Sequence, residues 1–210
     1  MVQILIDSEG DLFIPEVEEG ISWQTDRLGT PGTLKFSIPK ENIGRFEEGD
    51  HVALQIDGQG IFYGFVFTKK SGGKSDMVEV TAYDQLRYFK NKDTYVYEDK
   101  TAGDLIRMLA ADFQLQAGEI EDTGFRIASR VEDNSTLFDI VQNALDLTLT
   151  NTGQMYVLFD DYGKLALKNI SHMALNFLVE PSSGEEYSYT SSIDSGTYNK
   201  VKLSCENGEA

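Results

Sequence analysis

His51 and His172 are the only imidazoles of this 210-residue chain. Neither has a second histidine, a cysteine or a carboxylate at the spacing that holds a metal ion, so a packed or surface role is the simpler reading. Asp160 and Asp161 offer two carboxylates, but neighbours on a hairpin point apart and serve turn chemistry; a glycosidase pair needs two carboxylates facing one cleft. Ser71-Gly72-Gly73-Lys74-Ser75 has the glycines of a phosphate cradle without Walker spacing or a following helix. Serine, histidine and aspartate are all available, yet no Gly-x-Ser-x-Gly elbow occurs. Glu16, Glu18, Glu19, Glu47 and Glu48 read as solvated loop charges. Cys205, the one cysteine, excludes an internal disulfide and lies in an alternating pattern, as a strand residue and not a nucleophile. No catalytic, cofactor-binding or metal residue is expected, and no hydrolase activity.

The composition narrows the partners. Eighteen basic against thirty-five acidic residues leave a net charge of −17. Binding to a phosphate backbone needs clustered Lys and Arg, so nucleic-acid recognition is not expected, and the acidity reads first as solubility. With 40% apolar residues the chain can bury one large core or two to three small ones. No apolar run is long enough to span a membrane, and Met1 to Ile6 lacks the basic start of a secretory signal. The expectation is a soluble chain made in the cytoplasm.

The elements that carry these residues change character along the chain. Val2, Ile4 and Ile6 alternate, a 13–17 strand is interrupted by Pro15, and Ile21, Trp23 and Thr25 alternate again. Trp23 is expected to pack inward in a hairpin with the 34–38 strand. Val52, Leu54 and Ile56, the glycine turn at Gly58 and Gly60, and the strands 61–68 and 77–82 read as antiparallel hairpins. Near Asp93 the period switches from two to 3.6. Helices are expected over 101–116 and about 135–148, capped by Thr101 with Asp104 and by Thr136 with Asp139; Gly118 closes the first segment. A hairpin turning at Asp160-Asp161-Tyr162-Gly163 follows. After Ser171, strands are expected around Tyr187 to Ile193 and Lys200 to Cys205.

The fold class is therefore α+β, mainly antiparallel β. An antiparallel barrel-like domain occupies 1–92, an α+β domain with two helices and a β-hairpin occupies 93–172, and a partial second β-barrel occupies 173–210, as in a truncated chain.

Ala82-Tyr83-Asp84-Gln85-Leu86-Arg87-Tyr88, with Tyr63-Gly64-Phe65-Val66-Phe67 before it and Asn91-Lys92-Asp93-Thr94-Tyr95-Val96-Tyr97 after it, resembles the XkdQ/YqbQ-like proteins of contractile phage tails and defective prophages. Lys100-Thr101-Ala102, Gly118 to Thr123, Val131-Glu132-Asp133 and Tyr156 to Gly163 extend the likeness in order, over about 22–173. That family resembles the baseplate hub of long-tailed myophages and the trunk of type VI secretion spikes. The resemblance implies a structural hub in the virion baseplate, assembled in the host cytoplasm, with tail tube, spike and wedge components as partners and no cofactor. It also implies a homotrimer in the longer family form, whose two barrels per subunit match a six-fold tube, and DNA only in passage through the lumen. It carries over no catalytic residue. The 210-residue chain itself is expected to be monomeric or weakly associated, because its second barrel is incomplete. Two other readings remain: a cell-wall-binding or wall-degrading tail component, with Tyr95, Tyr97, Tyr187 and Tyr189 as a stacking platform, and a type VI spike trunk.

Overall fold

Short strands with two-residue glycine turns build the first half of the chain. In the computed structural model, which describes residues 1–73, 75–176 and 190, β1 (Val2–Ser8), β2 (Asp11–Phe13), β3 (Ser22–Gln24), β4 (Thr33–Pro39), β5 (His51–Ile56), β6 (Gln59–Ser71) and β7 (Met77–Tyr83) form one sheet. Their order is β2-β1-β5-β6-β7-β4-β3, with every neighbour antiparallel. The β5–β6 connection is Asp57-Gly58, both left-handed at φ 51° and 79°, the backbone that a right-twisted hairpin requires. Even-numbered residues of β1 and β5, such as Ile4, Ile6, Val52 and Leu54, share a core with Phe36, Phe62 and Val80.

The expected barrel is not hydrogen-bonded shut: β2 and β3 end the strand order and share no ladder. The reason is Pro15. The strand expected over 13–17 stops at Phe13, since proline has no N–H to continue pairing with β1. The chain then crosses to the far edge of the sheet, where Glu18 N donates to the Ser37 carbonyl. Trp23 is a second correction. It stands opposite Leu34 in the expected hairpin, but β3 is a three-residue edge strand and leaves the residue 47% exposed.

A short 3-10 helix (Gln85–Lys90) leads into β8 (Lys92–Lys100), α1 (Ala102–Asp112), β9 (Ala117–Ile120), β10 (Ile127–Thr136), α2 (Leu137–Thr152), β11 (Tyr156–Asp160) and β12 (Leu165–Asn169). β8 and β10 form a two-stranded antiparallel ribbon, and β11-β12-β9 form a small sheet with β9 parallel to β12. Both helices pack apolar stripes, Leu105, Ile106 and Leu109 against Ile140, Val141 and Ala144, into a second core. The capping expectations hold: Thr101 and Asp104 exchange both bonds of a capping box, and Thr136 accepts from Asp139 N. α1 ends earlier than expected because Gln114 adopts φ 54°, and Gly118 lies in β9 and not at the helix end. α2 runs longer, to Gly153 in the left-handed C-terminal position.

Thr101 is buried at 5% exposure, so its cap cannot be replaced by water. Thr101→Ala is expected to cost about 1–2 kcal/mol, read as a melting temperature lowered by a few degrees. Met1–Ala174 form one compact unit. The strands expected near 187–193 and 200–205, Cys205, and the partial second barrel lie outside the described residues.

Candidate functional site

Where the two cores meet, polar residues of the segment after β7 reach both ways. Asp84 caps the 3-10 helix, its Oδ1 accepting from Leu86 N at 3.0 Å, while its Oδ2 accepts from Gly32 N at 2.8 Å. Its own N–H donates to the Gly32 carbonyl. Asp84 thus ties β7 to the turn before β4. Gln85 turns the other way. Its side chain imitates a strand partner for Gln116, donating to the carbonyl at 3.3 Å and accepting from the N–H at 3.0 Å, and it donates to Asp160 Oδ2 at 2.8 Å. Asp160 Oδ1 accepts from Gly163 N at 2.7 Å.

Burial pushes the Asp84 carboxyl up to about 7, with the charge of Asp160 adding to it and the two backbone donors opposing. Burial likewise raises Asp160 to about 6. Both line a cleft of about 570 Å³ together with Trp23, Arg27 and Leu158. Two carboxylates in one cleft is the arrangement a glycosidase needs, but all four oxygens already accept an N–H of the protein. Asp84 thus fixes the start of the 3-10 helix and the turn before β4, and Asp160 fixes its own turn and Gln85.

Two tyrosines interlock across the same junction. Tyr162, at the apex of the β11–β12 turn with φ 49°, lies so close over Gly60 that a Cβ there would sit 2.5 Å from its ring. Tyr63 of β6 lies over Gly163 in the same way, 2.6 Å from where a Cβ would be. The two rings are 5.7 Å apart, and Gln55 donates to the Tyr162 hydroxyl at 3.1 Å. An aromatic residue in left-handed backbone costs about 1 kcal/mol; the seat on Gly60 offsets it. Gly60→Ala is therefore expected to destabilise by about 1–3 kcal/mol, and by much less when combined with Tyr162→Ala. A double-mutant cycle from denaturant unfolding reads the coupling.

The residues weighed from sequence go elsewhere. His51 stacks on Tyr63 at 5.3 Å and against Phe65 at 4.7 Å on the outer face of the sheet. His172 faces Glu121 at 3.0 Å. Among the described residues no group of three His, Cys, Asp or Glu side chains could hold a metal ion. Asp160 serves the turn through Gly163 N but also reaches Gln85, and Asp161 lines the same cleft, so the two do not simply point apart. Glu16, Glu18 and Glu19 are exposed. Glu47 and Glu48 are not merely solvated: Lys69, its side chain 9% exposed, reaches them at 3.0 and 3.7 Å and donates to the Phe46 carbonyl. The loop after β6 leads into β7 and no helix. Tyr97 is buried, and Tyr95 packs against the second core with its hydroxyl donating to Asp112, so neither offers a stacking face; Tyr187 and Tyr189 lie outside the described residues. Asp84, Gln85 and Tyr162 were missed. Their signal was present: two polar residues set between Ala82 and Leu86 in an apolar run, and an aromatic before a turn glycine.

The description "YQBQ-like" covers the family model that matches residues 21–210. The chain belongs to the YQBQ-like family. The uncharacterized protein YqbQ of Bacillus subtilis is 32% identical over 210 residues, 97% of this chain and 63% of the relative. The phage-like element PBSX protein XkdQ of the same organism is 31% identical over 174 residues, 80% of this chain and 53% of the relative. The chain spans between half and two thirds of the length of these curated relatives. Among solved structures, the 43 kDa tail protein of prophage MuSo2 from Shewanella oneidensis matches with TM-score 0.61 at 12% identity, over 79% of this chain and 52% of that one. The tail protein from Neisseria meningitidis MC58 matches with TM-score 0.60 at 15% identity, over 79% and 50%. At such identities these likenesses describe a shared fold.

Proposed function

We propose that this YQBQ-like chain is a structural component of the tail baseplate of a phage or phage-like particle, a non-enzymatic hub that joins the tail tube to the spike and wedge proteins. The observation that carries the reading is the junction. The groups best suited to acid–base chemistry, Asp84 and Asp160, have every oxygen accepting an N–H of the chain, and Asp160 Oδ2 joins Gln85, itself bonded to Gln116, across the junction. A part that binds neighbours on several sides needs such fixed geometry. Membership beside XkdQ of a phage-like element and the fold shared with two tail proteins support it. In this reading residues 1–92 are the barrel-like hub domain and 93–172 the α+β domain, and the full-length form is a homotrimer. The wall-binding alternative loses support with the burial of Tyr97 and the packing of Tyr95.

Particles purified from a host carrying the gene decide the matter. The chain is expected in them by mass spectrometry at a few copies per particle, and deletion of the gene is expected to leave tails without baseplates. Its absence from purified particles, or intact baseplates after deletion, would overturn the reading.

A further inference from the structure

Among the described residues, the outer side of β1 in the large sheet is left without a strand partner before Ile6. β1 pairs with β5 along Val2–Asp7, but with β2 only from Ile6 onward. The Met1 carbonyl accepts from Asp57 N beyond the end of β5. Because backbone groups alternate sides along a strand, the N–H and C=O of Val2 and Ile4 then point away from β5, toward the place where β2 has ended. Pro15 has no N–H to offer there, and no backbone hydrogen bond joins Val2 or Ile4 to residues 14–21. An unpaired strand edge is a template for another strand.

The same place is apolar. A cleft of about 590 Å³ opens beside this edge, lined by Val2, Ile14, Trp23 and Ile56 above Ile4 and Leu54. The first four are 54%, 56%, 47% and 40% exposed, an unusual cost for large apolar side chains set side by side. Glu18 and Glu19 line the rim, and no lysine or arginine among the described residues does.

We infer that this cleft receives an extended segment of a different protein, strand-paired to Val2 and Ile4, apolar at alternate positions and basic at the end beside Glu18 and Glu19. Backbone pairing supplies the affinity, the cleft takes the side chains on one face, and the rim selects the charge. Glu18 and Glu19 are consecutive, so a lysine or arginine at the one end of the segment that lies beside them meets the pair. A second copy of this chain brings a net charge of −17 against an acidic rim, which disfavours it as the occupant. The inference rests on the sheet edge alone and stands whether or not the chain is part of a tail.

The probe is an acetylated, amidated octapeptide of alternating valine and threonine with a lysine at each end, added to the isotope-labelled full chain. Amide exchange at Val2 and Ile4 is expected to slow about tenfold or more at saturation, with a shift of the Trp23 indole resonance. A glutamate-ended version is expected to bind about tenfold more weakly at low salt, and one with a central proline not at all. Ile14→Lys, at an exposed position that leaves the spectrum of the folded chain unchanged, is expected to weaken binding of the lysine-ended peptide. Four results would overturn the inference: no binding at millimolar peptide, binding without protection of those two amides, equal binding of the proline version, or self-association of the free chain that protects the same amides.

Discussion

Replacing Gly64 by alanine is expected to cost about 3 kcal/mol or more, enough to leave much of the chain unfolded at 37 °C. Gly64 is buried in β6, where a Cβ would overlap the Tyr83 carbonyl oxygen and stand 2.7 Å from its carbon and 2.8 Å from the Phe62 ring. The oxygen is backbone, so no rotamer change relieves the overlap. β6 and β7 already carry a register shift between Val66 and Thr68, and pushing Tyr83 away would move Asp84, the next residue, off Gly32. Gly73→Ala is the matched control: nothing lies within 4 Å of its Cβ, and its unfolding midpoint is expected to stay within about 0.5 kcal/mol of the parent. Equal midpoints for the two variants would show that the strands separate at little cost.

The second large effect is in pH. Asp84 and Asp160 have carboxyls raised above the ordinary value of 3.8, to about 7 and about 6. Between these values the folded chain holds protons that the unfolded chain has released. Stability from this source is therefore fully present below about pH 4 and is lost as pH rises through 6 and 7. Between pH 5 and pH 8 the chain is expected to lose about 2–4 kcal/mol, so that it melts several degrees lower at pH 8. The carboxylates held below their ordinary values, among them Asp104 by the Thr101 backbone and Glu121 by the Asn169 backbone, act in the opposite sense. Their contribution is lost only as pH falls into the acid range below that window. Asp160→Asn separates the causes. Gln85 is pinned by Gln116 on both amide atoms, so asparagine loses one of the two bonds and costs about 1 kcal/mol at pH 5. It also removes the Asp160 titration and the charge that adds to the effect of burial on Asp84, and the difference between pH 5 and pH 8 is expected to fall by about a third or more. An unchanged slope would place the pH dependence elsewhere.

How much of this was legible depended on whether the signal was local. The hairpin at Asp57-Gly58 and the caps at Thr101 and Thr136 each depend on residues within four positions, and each was readable. Partnerships across long stretches were not. The pairing of β8 with β10 and the parallel contact of β9 with β12 join segments whose own sequences show no preference for each other. Trp23 misled because its alternation correctly gives the face it shares with Leu34, while coverage depends on whether a neighbouring strand exists beyond it. Asp84 and Asp160 are far apart in sequence, and each alone reads as a turn or cap residue; only the fold brings them to one cleft.

The reciprocal tyrosine–glycine seats bear on how the molecule carries load. Each lobe contributes one ring and one slot, so sliding either lobe lifts a ring out of its slot and strains the other pair at once. Force applied at one lobe is passed to the other without being absorbed between them. Stretched between its first residue and residue 174, the chain should yield in a single rupture, with no intermediate length at which one lobe has come apart and the other still holds.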